Sequence, residues 1–164
     1  MNPMTNKPCN FQLLDTPIGT LRLVSDGAAL TRIEFPQKHS TASGEIESSD
    51  PALIACAAQL TEYFAGERQA FSLPMNAGGT IFQNDVWSAL ADIPFGEQRS
   101  YSDIAIAIGR PKAVRAVGAA NGRNPLPIIV PCHRVIGRDG SLTGFAGGIP
   151  LKTKLLKLEG ALLL

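Results

Sequence analysis

The chain has 164 residues, of which 45% are hydrophobic and 18% charged, and its net charge is +1. This is the composition of a globular protein, long enough for one compact domain or two small ones. The sequence has no apolar run near the ~20 residues of a membrane helix, and residues 1–9 lack an apolar signal-peptide core, so a cytoplasmic protein is predicted.

The first third of the chain predicts an antiparallel β-meander. Turn residues at 17–19 and 26–27 separate short, partly alternating apolar runs. These runs are residues 11–14, 21–24 and 30–35. The polar segment 36–49 predicts a loop. A last strand is expected at 71–74, followed by a linker at 76–79.

A helix is predicted next, because Asp50 and Pro51 are typical of an N-cap and a first helical turn. The helix should end at Gly66. Apolar residues at helical spacing should pack on the sheet. They are Leu53, Ile54, Ala57, Leu60 and Phe64. Cys56 lies in this helix and is interpreted as a small buried side chain.

Two capping-box patterns begin helices in the second half, at Thr80–Gln83 and at Ser100–Asp103. The second of these helices should end at Gly109. Pro111 should start another helix that ends near Asn121. This helix pair forms a helix-turn-helix pattern, which occurs in DNA-binding domains and also in ordinary helical cores.

The second half is also the basic half. Residues 81–164 hold ten Lys/Arg and six Asp/Glu, the sign of charge that nucleic acid attracts, although a solvated surface explains it too. Gly118 within a helix costs about 1 kcal/mol relative to alanine. Close approach of another backbone, from protein or nucleic acid, would offset that cost.

The segment 128–135 carries the clearest chemistry: an apolar run delivers Cys132 behind a proline, followed by His133 and Arg134. A thiolate is a strong nucleophile, and a neighbouring base or cation raises its population. The remaining cysteines and histidine, Cys9, Cys56 and His39, are scattered. Their spacing supports neither a disulfide framework nor a metal site.

These motifs, in this order, resemble the O6-alkylguanine-DNA alkyltransferases, also called methylated-DNA–protein-cysteine methyltransferases. The resemblance is densest from Phe82 to Gly160. It rests on the helix-turn-helix and on the runs 115–121, 124–127, 131–135, 144–148 and 155–160. It implies an α+β fold. Residues 1–75 should form a ribonuclease H-like domain, with a small antiparallel sheet and a helix. Residues 80–164 should form a mostly α domain with a winged helix-turn-helix.

The resemblance also implies an activity: direct repair of duplex DNA. A stand-alone monomer, without a fused regulatory domain, would approach the minor groove and flip out a damaged nucleotide. It would then move the alkyl group from O6 of guanine irreversibly to Cys132, with O4 of thymine as a second candidate. No cofactor is implied, and each molecule would act once.

Catalytic roles carried over from the family fall on four residues. Cys132 would accept the alkyl group, and His133 would take its proton through a bridging water. Glu159 would orient His133, and Asn124 would fix the turn that holds Cys132.

For the flipped base, the resemblance implies a hydroxyl donor at Tyr101, an amide at Ala146 that reaches O6, and acceptor carbonyls at Cys132 and Val135. Phe145, where many relatives have tyrosine, would supply an apolar wall. Gly147 and Lys152 complete the implied substrate site.

For DNA, Arg115 would be the finger that fills the space left by the flipped base. Phosphate contacts would come from Arg110, Lys112 and Arg123. The helix face that approaches the DNA would carry small side chains and would consist of Ala116, Gly118, Ala119 and Asn121.

Two other classes of function remain open. A cysteine hydrolase using Cys132 and His133 would turn over repeatedly, but such enzymes usually bring the histidine from elsewhere in the chain. A non-enzymatic DNA reader is the second: a helix-turn-helix regulator, or an alkyltransferase-like damage-binding protein. Proteins of the latter kind lack the acceptor cysteine.

Overall fold

A computed structural model describes residues 9–39, 45–142 and 144–161. The chain forms two compact units, Met1–Ala77 and Gly78–Leu164. The elements described in the first unit are β1 (Cys9–Thr16), β2 (Gly19–Ser25), β3 (Leu30–Glu34), β4 (Glu45–Glu47) and α1 (Pro51–Phe64). Those in the second are α2 (Ile81–Ala91), β5 (Arg99–Ser100), α3 (Tyr101–Ala107), α4 (Val114–Gly122), β6 (Val135–Ile136) and α5 (Ile149–Leu158).

The sheet of the first unit has the strand order β3-β2-β1-β4. The pairs β1–β2 and β2–β3 are antiparallel, which confirms the predicted meander. The segment predicted as a loop instead contains a 3-10 helix at Pro36–Lys38 and the strand β4, while residues 40–44 lie outside the described residues. β4 pairs parallel with β1, so its backbone partner, rather than an apolar pattern, makes it a strand.

Helix α1 begins as predicted, because the Asp50 side chain accepts a hydrogen bond from the Leu53 amide at 3.0 Å. The buried face includes Tyr63, and Cys56 is fully buried, as predicted. Burial raises the pKa of the Cys56 thiol to about 12, so this thiol is unreactive. Ile54, predicted to pack on the sheet, is 53% exposed, because it lies outside the helical arc that includes Leu53 and Tyr63.

The strand predicted at 71–74 is wrong. In this segment only the flanking Met75 forms a bridge, to Leu30, and Pro74 accepts from the Leu30 amide at 2.8 Å. Proline has no amide to donate, so a continuous ladder cannot form across it.

Both capping boxes of the second unit form, at Thr80 with Gln83 and at Ser100 with Asp103. The single tryptophan, Trp87 of α2, donates from Nε1 to the Ala120 carbonyl of α4 at 2.9 Å and so fixes these helices together. Among the helices that the structure describes, none has the length and apolar character to cross a bilayer.

Helix α4 begins at Val114 and not at Pro111. Residues 110–113 form a turn, in which the Ala113 amide donates to the Arg110 carbonyl at 2.9 Å. Proline favours the second position of such a turn. Lys112 therefore lies in the turn before the helix.

Candidate active site around Cys132

Cys132 begins a 3-10 helix, Cys132–Arg134, and is 5% exposed. A turn upstream presents it. Asn124 closes that turn, since its Nδ2 donates to the Val130 carbonyl at 2.8 Å and its Oδ1 accepts from the Leu126 amide at 3.0 Å. The turn includes Ile128 at a φ of 74°, a left-handed conformation that is costly for a β-branched residue. Asn124 thus holds a strained backbone that leads into the cysteine.

Burial raises the pKa of the Cys132 thiol to about 11, while a hydrogen bond with the Asn124 side chain and the charge of Lys152 act in the opposite direction. The resting sulfur is therefore a protonated thiol at neutral pH. Because the thiolate is the nucleophilic form, any reaction at this sulfur near pH 7 needs a base that takes the proton.

The imidazole that follows Cys132 in the chain, His133, is fully buried. Its Nε2 lies 2.7 Å from Oε2 of Glu159, the residue that caps α5. Its Nδ1 is buried and has no hydrogen-bond partner in the part of the chain that the structure describes. Burial lowers the pKa of His133, with the Glu159 carboxylate opposing the shift. A neutral imidazole with its proton on Nε2 has Nδ1 as its acceptor.

Arg134 was expected from the sequence only as a charge close to Cys132. It is 5% exposed and forms a bidentate pair with Glu159: Nε donates to Oε1 at 2.8 Å, and Nη2 donates to Oε2 at 3.0 Å. Its Nη1 donates to the Ile93 carbonyl at 2.6 Å. The only sequence signal for this arrangement is the position of Arg134 directly after His133.

Lys152 is also fully buried, and its Nζ donates to the Val135 carbonyl at 2.5 Å. Burial lowers the pKa of Lys152 to about 8, and the negative charge that Cys132 carries as a thiolate opposes this shift. The Val135 carbonyl, predicted to accept from a guanine amine, thus already accepts from Lys152. A carbonyl oxygen has two lone pairs, so the bond from Lys152 does not by itself exclude a second donor.

Tyr101 starts α3 and lies between α4 and the glycine-rich loop 144–148. A Cβ added at Gly118 would lie 3.9 Å from the tyrosine ring, and one at Gly144 would lie 3.3 Å from its hydroxyl. In the loop, Phe145 is half-buried, Ala146 is exposed and Gly147 is buried. The structure therefore places Tyr101 next to this loop; its role toward a flipped base stays a prediction.

Helix α4 presents an exposed face of Arg115, Ala116 and Ala119, with Gly118 half-buried beside it. The flanking cations Arg110, Lys112 and Arg123 are exposed. Asn121, predicted to contact DNA, is instead 2% exposed, and its Nδ2 lies 3.5 Å from the Cys132 carbonyl. It occupies the inner face of α4, one and four residues after the buried Ala120 and Val117, so the protein covers its side chain.

Across residues 9–39, 45–142 and 144–161, no group of three His, Cys, Asp or Glu side chains is placed to hold a metal ion. The free cysteines Cys9, Cys56 and Cys132 do not pair with one another.

Comparison with known proteins gives the family. Residues 81–161 match the family model for the 6-O-methylguanine DNA methyltransferase DNA-binding domain, and residues 10–77 match its ribonuclease-like domain. A constitutive methylated-DNA–protein-cysteine methyltransferase of Bacillus subtilis is 50% identical over 91% of this chain and 94% of the relative. A methylated-DNA–protein-cysteine methyltransferase of Mycobacterium tuberculosis is 48% identical over 92% of each chain.

Solved structures agree. The crystal structure of Mycobacterium tuberculosis OGT in complex with DNA superposes with a TM-score of 0.85 at 47% identity and 92% coverage of each chain. The predicted α+β fold class is confirmed by these neighbours. Both halves of the chain match the same family, in the order of its domains. The chain belongs to the 6-O-methylguanine DNA methyltransferase family.

Proposed function

We propose that the protein repairs duplex DNA by moving an alkyl group from O6 of guanine to Sγ of Cys132. The observation that carries this proposal is a buried thiol followed directly in the chain by the buried pair His133 and Glu159, in which Nδ1 of the imidazole has no hydrogen-bond partner among the described residues. The thiol needs such a base, because burial raises its pKa.

The reaction is a displacement at carbon. Nδ1 of His133 takes the thiol proton through a bridging water, the sulfur–carbon bond forms, and the carbon–O6 bond breaks. The proton then reaches the departing purine, so the thiol hydrogen ends on guanine and the alkyl group ends on sulfur. Water does not readily cleave the thioether product, so each molecule acts once. The reaction needs no cofactor.

The base must leave the stack to reach this buried sulfur. Arg115 is exposed on α4, where it is able to enter the space that the base leaves. The structure gives no clash that requires glycine at position 118, since a Cβ there would make only ordinary contact with Tyr101. Close passage of α4 along the minor groove supplies the missing reason for a residue without bulk.

Phosphates of the duplex would be bound by Arg110, Lys112 and Arg123, which add affinity without reading sequence. The solved DNA complex of the Mycobacterium tuberculosis relative supports DNA as the partner. We propose that the protein acts on it as a monomer in the cytoplasm. Residues 80–164 would bind DNA and transfer the alkyl group, and residues 1–75 would form the accompanying N-terminal α/β domain.

In the base pocket, the Tyr101 hydroxyl and the Ala146 amide would donate to the flipped guanine, and the Cys132 and Val135 carbonyls would accept from its amine. Phe145 would form an apolar wall, next to the buried Gly147. Lys152 would contribute indirectly, because its buried ammonium donates to the Val135 carbonyl.

The test is to incubate the protein with duplex DNA that contains one O6-methylguanine and to map the peptides by mass spectrometry. We expect one added methyl group, on the peptide that carries Cys132, and unmodified guanine in the DNA. Loss of the adduct from DNA without a modified peptide would indicate hydrolysis and reject the proposal.

Changing Arg115 to alanine should slow repair of duplex DNA about tenfold or more, because flipping costs a few kcal/mol without a side chain to fill the gap. Reaction with free O6-benzylguanine should be nearly unchanged, since a free base needs no flipping. Single-turnover rates on both substrates measure the difference.

Arg123→Ala is the charge-matched comparison. It should weaken binding to duplex, and saturating protein should restore its rate, whereas saturation should not rescue Arg115→Ala. Equal losses of Arg115→Ala on duplex and free base would remove the finger assignment.

A further inference from the structure

The charged groups around His133 include more cations than carboxylates. The buried thiol of Cys132 precedes this imidazole in the chain, and Glu159, Arg134 and Lys152 carry the charges that act on it. Two of them are buried cations, and only Glu159 is a carboxylate. The cations oppose a proton on Nδ1, because that proton would make His133 a third positive charge in a site shielded from water.

The hydrogen bonds that Glu159 accepts also fix the orientation of its carboxylate toward His133. Oε1 accepts from Nε of Arg134 at 2.8 Å, while Oε2 accepts from Nη2 at 3.0 Å and faces Nε2 of His133 at 2.7 Å. A guanidinium is planar and rigid, so two bonds to one carboxylate fix the plane of that carboxylate. The bond from Nη1 to the Ile93 carbonyl, at 2.6 Å, fixes the guanidinium in turn.

We propose that Arg134 is a positioning residue for alkyl transfer: its bidentate pair with Glu159 keeps His133 neutral, with the proton on Nε2, and leaves Nδ1 to accept the thiol proton. This inference rests on the proposed function. Arg134 touches neither thiol nor substrate in this scheme and acts through Glu159 and His133.

The first test uses the unaltered protein. Nitrogen-15 NMR of the imidazole rings at pH 7 distinguishes the two neutral tautomers from the imidazolium. We expect His133 as the neutral form with hydrogen on Nε2. An imidazolium, or hydrogen on Nδ1, would overturn the inference whether or not any variant folds. His39→Gln assigns the signal, because His39 and His133 are the only histidines.

The second test compares Arg134→Met and Arg134→Lys with the parent, using free O6-benzylguanine as the probe so that DNA binding plays no part. Without the Arg134 charge, Glu159 is less compensated and imidazolium is favoured, so the pKa of His133 rises. The fall in alkylation rate on the acid side should then move to higher pH by about one unit. The rate below that midpoint should fall about tenfold.

Arg134→Lys keeps a positive charge but cannot form the bidentate pair with Glu159. Its acid-side midpoint should therefore move less than that of Arg134→Met, and its alkylation rate should still fall. Arg138→Lys, at an exposed arginine of the segment that follows β6, is the matched control and should leave the profile unchanged. If Arg134→Met does not fold, Arg134→Lys and the NMR of the parent decide.

A merely structural role would lower the melting temperature and leave both the acid-side midpoint and the His133 tautomer in place. Folded Arg134 variants with the parent profile would therefore overturn the inference. The proposed function fails separately: it is rejected if the parent protein takes no benzyl group on Cys132, a result that leaves the tautomer measurement valid.

Discussion

Serine at position 132 is expected to abolish alkyl transfer, with a loss of at least about 10⁴-fold in single-turnover rate. A neutral hydroxyl is a far weaker nucleophile than a thiolate, and removal of a reacting atom usually costs this much. The two side chains are similar in size, so the buried turn held by Asn124 should persist. Transfer of radiolabelled methyl from duplex DNA to protein measures the loss.

DNA binding by Cys132→Ser should stay within about threefold of the parent, because the exposed face of α4 and the flanking cations do not change. Cys9→Ser is the matched control and should transfer normally. Loss of both transfer and binding in Cys132→Ser would show that the cysteine is structural, and retained transfer would show that another atom accepts the alkyl group.

The second large effect is expected for Lys152→Met, which removes a buried cation that acts on Cys132. This cation lowers the pKa of the thiol, so its removal should raise that pKa further and reduce the thiolate at pH 7. A nearby charge shifts a pKa by one unit or more. The alkylation rate of the variant at pH 7 should therefore be about one tenth of the parent rate, or lower still. The rise of rate with pH should also move to higher pH.

Stability should not fall with activity in Lys152→Met. Burial lowers the pKa of Lys152 to about 8, below its unfolded value, so holding this proton opposes folding at pH 7. We expect an equal or higher free energy of unfolding, measured by urea titration. Lys154→Met, at an exposed position of the same helix, should match the parent in rate. A destabilised Lys152→Met with parental alkylation rates would contradict this role.

Local patterns in the sequence predicted the elements that depend on local interactions. The capping boxes at Thr80 and Ser100 and the N-cap at Asp50 form because their partners lie three residues away. The strand β4 was missed because it depends on β1, about 35 residues earlier in the chain. Such pairing leaves little trace in a three-residue polar segment.

The site divides in the same way. Cys132 and His133 are adjacent in sequence, and their chemistry was predicted from the residues alone. Glu159 lies 26 residues beyond His133, so only the family resemblance connected it to the imidazole. The structure brings the two together, while its catalytic role stays a prediction.

Burial of cations was beyond the reach of the sequence. Arginine and lysine are rarely fully buried, so Arg134 and Lys152 were first interpreted as a nearby charge and a substrate contact. Asn121 was misplaced for a related reason: polar residues on a DNA-binding helix are expected outside. Only the packing of α4 shows which of its faces is covered.

The stoichiometry of methyl transfer tests the central claim most directly. Protein is incubated with a tenfold excess of duplex containing O6-methylguanine, and both repaired guanine and methylated protein are counted at completion. We expect one guanine restored per protein molecule, with the methyl group on Cys132 and no further repair on longer incubation. Restoration of several guanines per molecule, or a Cys132 that remains unmodified, would contradict the mechanism.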